Sequence, residues 1–135
     1  MISGRKISAE LECLIADLNG PAPNTPLLGV GVDLETNRSV HPDTARFFLT
    51  EGEQEWLKSL GRPDSSEDLL RLWTVKEALL KADPETGKML GDYAIEDPSQ
   101  WTGNAYPKDR KFLRFRYSSL QVDGGFLSIA ILAKG

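Results

Sequence analysis

Hydrophobic positions along the chain follow a helical period first and an alternating one later. Residues 7–18, ISAELECLIADL, place Leu11, Leu14, Ile15 and Leu18 at i, i+3, i+4 and i+7. That is the stripe of an amphipathic helix, and Gly20 and Pro21 stop it. The segment GPAPNTP (20–26) reads as a stiff connector with three prolines. After it, LLGVGVDLE (27–35) predicts a strand in which two glycines let another backbone come close. A short helix is expected over 41–49, with His41 at its start, and TEGE (50–53) has the form of a capping box opening a second short helix through Trp56 and Leu57. SSED (65–68) opens a long helix over 66–82 that runs into the turn DPETGK. Trp56 and Trp73 are expected in the core.

Beyond the turn, strands are expected at DYAIE (92–96), KFLRFRYSS (111–119) and FLSIAILAK (126–134), the last two flanking VDGG as a hairpin. Leu113, Phe115 and Tyr117 fall on one face of the penultimate strand, and Arg114 and Arg116 on the other. The order of elements predicts an α+β fold, with helices packed on one side of a mostly antiparallel sheet. A chain of 135 residues suits one hydrophobic core. The helix and connector of 1–26 are therefore expected to fold as one unit with the domain of 27–135.

Composition narrows the function classes. A net charge of −4 argues against general nucleic-acid binding. The run PKDRKFLRFR (107–116) is nevertheless basic, through Lys108, Arg110, Lys111, Arg114 and Arg116. It suits either an edge strand guarded by cations or a patch for an anionic partner. The longest apolar runs, LLGVGV and GGFLSIAILA, fall short of the roughly 20 residues that cross a bilayer. With Cys13 as the single cysteine and acids in the N-terminal stretch, a cytoplasmic, membrane-free protein is expected.

Asp33 and Glu35 are two apart on a predicted strand, so their carboxylates project from one side at its exit. Like charges so close repel, and a hard divalent ion such as magnesium compensates them. On the long helix, Glu77 and Lys81 are i, i+4, which an ordinary surface pair also satisfies. They border the apolar stripe, however, where a carboxylate can face a cleft while its helix stays anchored.

GVDLE (31–35), ARFFLTEGEQEWL (45–57) and LWTVKEALLKA (72–82) together resemble the core of the 4′-phosphopantetheinyl transferases, especially the Sfp-type branch. That branch pairs a Gly-hydrophobic-Asp-x-Glu strand with a Trp-x-x-Lys-Glu-x-x-x-Lys helix, and both patterns are filled here. The resemblance implies Mg²⁺-dependent transfer of phosphopantetheine from coenzyme A to a serine of an apo acyl or peptidyl carrier protein, releasing adenosine 3′,5′-bisphosphate. It implies Asp33, Glu35 and Glu77 as metal carboxylates, Lys81 on the phosphates with Lys76 as a further phosphate contact, and Glu77 as acceptor of the serine proton. Thr86, Gly87 and Lys88 occupy the place of a turn near the nucleotide's ribose 3′-phosphate. Sfp-type enzymes have two similar halves, and this chain has the length of the small holo-acyl-carrier-protein synthases, which are homotrimers. A homotrimer is therefore expected, and the alternative is a non-catalytic half-size relative that binds a carrier protein or coenzyme A.

Overall fold

Strand β1 (Leu27–Thr36) carries two different faces, because alternate residues point to opposite sides. Glycines and acids line one, and Leu28, Val30, Val32 and Leu34 line the other. The computed structural model describes residues 27–61 and 66–133, together with Ala9. Apart from that alanine, the helix expected over 7–18 and its connector lie outside the described residues.

A 3₁₀ turn (Pro42–Thr44) leads into α1 (Ala45–Phe48), then α2 (Glu51–Ser59) and the long α3 (Ser66–Ala82). A second 3₁₀ turn (Leu90–Asp92) precedes β2 (Tyr93–Ile95), β3 (Thr102–Pro107), β4 (Arg114–Val122) and β5 (Gly125–Ala133). The five strands form one sheet in the order β1-β5-β4-β3-β2, and every pairing is antiparallel. This is the α+β architecture expected, with α3 laid across β1, β5 and β4. Strand β3 was not foreseen: TGNAYP contains glycine, asparagine and proline, which read as turn residues.

Helix α3 drives the assembly through a stripe of Leu69, Leu72, Val75, Leu79 and Ala82, all buried against Phe115, Tyr117, Ala130 and Leu132. Its last two turns come unusually close to β1. A Cβ placed on Gly29 would sit 1.8 Å from the Ala82 carbonyl oxygen, and one on Gly31 would sit 2.1 Å from that of Ala78. Only glycine tolerates this approach. Trp56 and Trp73 pack on the edge of the core, and His41 caps the first 3₁₀ turn by accepting from the Asp43 amide at 3.1 Å.

The opposite face of β1 is left open. Leu28, Val30, Val32 and Leu34 are each 38–51% exposed, beside the buried Leu127, Ile129 and Ile131 of the neighbouring strand. An apolar strip on a sheet edge is a surface that associates.

Inside the fold, the capping box forms as expected, with Thr50 accepting from the Glu53 amide and the Glu53 carboxylate accepting from the Thr50 amide. The same carboxylate does more. Glu53 Oε2 accepts from the Ile95 amide at 2.7 Å, and Oε1 pairs with Lys76 Nζ at 2.8 Å, both side chains being at most 1% exposed. Lys76 also donates to the Tyr93 carbonyl, so one pair ties α2, α3 and β2 together. Burial lowers the Lys76 pKa, and Glu53 opposes that shift. Removing one member leaves a buried charge without its counter-ion, so Lys76→Met should lower stability by about 3–5 kcal/mol. Urea denaturation checks this, and a loss below about 1 kcal/mol would show the pair to be dispensable.

Candidate active site

The close glycine contact brings the exit of β1 beside the last turns of α3. Asp33 sits on the strand face that looks toward the helix, 6% exposed. Lys81 donates to Asp33 Oδ1 at 2.9 Å and to the Val32 carbonyl at 3.3 Å. The lysine thus spans from helix to strand rather than pairing with Glu77 one turn back, and the Asp33 hydrogen bond raises its pKa. Asp33 Oδ2 is buried and has no hydrogen-bond partner among the described residues.

Glu77 stands one turn before Lys81 and within the field of the strand acids. Burial raises its pKa first, and the charges of Asp33 and Glu35 raise it further against the opposing Lys81 and Arg38. A carboxylate in this state is suited to taking up a proton. Glu35 lies two residues beyond Asp33 on the same strand face and pairs with Arg38 at 3.3 Å. The Arg38 guanidinium lies 4.8 Å from the Trp73 ring centroid, and that ring packs edge-on to Phe48 at 5.1 Å. Arg38 escaped the sequence reading because it lies past the strand end; the signal was the i, i+3 acid–base spacing in ETNR.

Four of the residues singled out from sequence, Asp33, Glu35, Glu77 and Lys81, therefore share one electrostatic cluster. Among the described residues no three His, Cys, Asp or Glu side chains converge into a ready-made metal cage. The donors nevertheless fit magnesium, which keeps several waters and needs one or two carboxylates. An orphaned buried carboxylate oxygen beside a second acid of raised pKa is what a hard cation would relieve.

Lys76 lies apart. Its ammonium is enclosed by Glu53 and the Tyr93 carbonyl on a different side of α3, fully buried, so it holds the fold rather than facing this cluster. Thr86 and Gly87 are exposed in the turn after α3, with Gly87 at φ +81°. The Lys88 ammonium is occupied by Asp109 and Glu85. Of the basic run, Arg110 is committed to Asp83, Glu85 and Asp109 and Arg116 donates to Asn104, while Lys108, Lys111 and Arg114 are exposed.

A family model described as the 4′-phosphopantetheinyl transferase superfamily matches residues 29–129. The chain belongs to that superfamily. The match spans β1, α3 and the sheet, and so includes all the clustered residues. Among solved structures, this superfamily member is similar to the holo-[acyl-carrier-protein] synthase of Thermotoga maritima, with a TM-score of 0.63 and 26% identity over 82% of this chain. The chain spans 66% of that structure's length. The fold also matches the acyl carrier protein synthase of Mycobacterium tuberculosis, with a TM-score of 0.53 and 22% identity, covering 82% of this chain and 100% of that one. No curated protein sequence matches significantly. No helix among the described residues is long and apolar enough to cross a membrane.

The turn that follows α3 is clamped by a second buried acid. Asp83 accepts from Tyr93 Oη at 2.7 Å, from the Glu85 amide at 2.9 Å and from Arg110 Nη1 at 3.2 Å. Burial pushes its pKa up, but these donors outweigh burial and hold it below the ordinary aspartate range. A depressed folded pKa adds stability above the unfolded value, and that stability is lost as the pH falls through the folded one. The urea midpoint should therefore decline as the pH drops below about 4, and Asp83→Asn should flatten that decline while lowering stability at neutral pH. An unchanged acid limb in the variant would remove Asp83 from this role.

Proposed function

We propose that this superfamily member transfers 4′-phosphopantetheine from coenzyme A to a serine of an apo acyl or peptidyl carrier protein, releasing adenosine 3′,5′-bisphosphate. The observation that carries the reading is the meeting of the strand acids with Glu77 and Lys81 on one surface. Asp33, Glu35 and Glu77 would hold Mg²⁺, which when bound supplies Lewis-acid neutralisation of the pyrophosphate. Lys81, which bonds Asp33, would also lie on the phosphates, and its persistent positive charge suits the transferring group. The serine oxygen forms a bond to the phosphorus next to the pantetheine arm, the bridging P–O bond breaks, and the bisphosphate leaves with that oxygen. Glu77, the carboxylate of α3 at this surface, accepts the serine proton directly or through a water. The Thr86 and Gly87 amides are the proposed donors to the ribose 3′-phosphate, beside Lys88. Lys76 is left out of the phosphate contacts because it is buried.

Assembly belongs to the same proposal. The half-size chain leaves one wall of the cleft to another copy in a homotrimer, and the apolar strip of Leu28, Val30, Val32 and Leu34 supports such association; the proposed setting is cytoplasmic. Residues 1–26 are proposed to belong to the same folding unit as 27–135.

Incubation with coenzyme A, Mg²⁺ and several apo carrier proteins, followed by intact mass spectrometry, should show one phosphopantetheine added per carrier. Glu77→Gln should cut kcat by about 10²–10⁴ while leaving the circular dichroism unchanged. If coenzyme A binds but no carrier gains mass, the half-size binding module replaces the enzyme. Light scattering should give three times the monomer mass, and a strict monomer with coenzyme A present would rule out the trimer.

A further inference from the structure

The acid cluster carries two cations, one at each end. Lys81 occupies Asp33 from the helix side, and Arg38 occupies Glu35 from the loop that follows β1. The two contacts differ in kind. Lys81 reaches a nearly buried carboxylate and a backbone carbonyl. Arg38 makes one 3.3 Å contact, with side chains 45% and 23% exposed. Such an exposed, single ion pair is weak and readily exchanged.

The guanidinium has a second place to rest. It stacks over the face of Trp73, whose ring is fixed by Phe48 and by its position one turn before Glu77 on α3. A guanidinium on an indole keeps a favourable contact without a carboxylate, so releasing Glu35 does not leave Arg38 without support.

We infer that Arg38 is a resident counter-cation of the acid cluster, one that neutralises Glu35 in the metal-free protein and yields that carboxylate to an incoming divalent ion while remaining on Trp73. It is a positioning residue acting through Glu35. Without it, Lys81 is the cation left to Asp33, Glu35 and Glu77 among the described residues, and surplus negative charge remains among the acids. With it, that repulsion is reduced and the ion binds against a competitor. The inference rests on the reading of Asp33, Glu35 and Glu77 as metal carboxylates.

The direction of the effect on ion affinity tests it. A residue that merely orients a ligand weakens binding when removed, whereas a competitor strengthens it. Binding of Mn²⁺ to the full chain is followed by the electron paramagnetic resonance of the free ion at low ionic strength. Arg38→Gln should bind about three- to tenfold more tightly than wild type, the scale of deleting one charge near a divalent ion. Arg38→Lys should stay within about twofold of wild type. Arg46→Gln, which removes an equal charge from above the Phe47 ring, should also stay within about twofold. Equal or weaker binding by Arg38→Gln overturns this inference while leaving the metal reading intact. No binding by wild type or by any of the three variants overturns the metal reading and this inference with it.

Discussion

The approach of α3 to β1 is the constraint on which the site depends. Two glycines, Gly29 and Gly31, let the carbonyls of Ala82 and Ala78 sit where side chains would otherwise stand. Hydrophobic burial alone would bring helix and sheet together at about the usual 10 Å spacing. The missing side chains let the C-terminal turns of the helix settle closer to the first strand. That closeness is what allows Lys81 to bond Asp33 and the Val32 carbonyl across the junction, and what puts Glu77 in the field of two strand acids. The acids repel one another, and the backbone contact holds them together against that repulsion.

Buried charge elsewhere serves to hold this junction in place. Helix α3 is fixed at its middle by Lys76 and Glu53 and at its C-terminal end by Asp83 and Arg110. Near its start, the buried Arg71 donates to the carbonyls of Pro98 and Gln100, anchoring the loop between β2 and β3. The two ion pairs carry further hydrogen bonds and Arg71 is met by two carbonyls, so none of these buried charges is left without polar partners, the condition under which burying ions is tolerated. The outcome is a helix whose rotation is set by specific bonds, so Glu77 and Lys81 face β1.

Much of this was legible in the sequence. The alternation of LLGVGVDLE, the capping box at Thr50 and the heptad-like leucines of α3 gave the elements, because each rests on local chemistry. Asp33, Glu35, Glu77 and Lys81 stood out through paired motifs. Lys76 shows where that reasoning stopped: adjacent to Glu77 in the motif, it points about 100° away around the helix and finds Glu53, a residue 23 positions earlier. Its partner is a tertiary matter that spacing along one helix does not reveal. The Asp83 partner of Arg110 and the Trp73 contact of Arg38 come from distant segments in the same way, and the residues of strand β3 suit turns in isolation.

Among the described residues, strand β1 hydrogen-bonds to β5 and to no other strand, pairing Asp33 with Ser128 and Glu35 with Phe126. This has a consequence for the order of events during synthesis. Every residue of the acid–lysine cluster is made before β5, yet β1 has no neighbouring strand until then. Contacts of such long sequence separation form late. From Lys81 until β5 is made, the nascent chain thus carries all the charged groups of the site without the strand that ties β1 into the sheet, and the centre closes only once β5 is laid down.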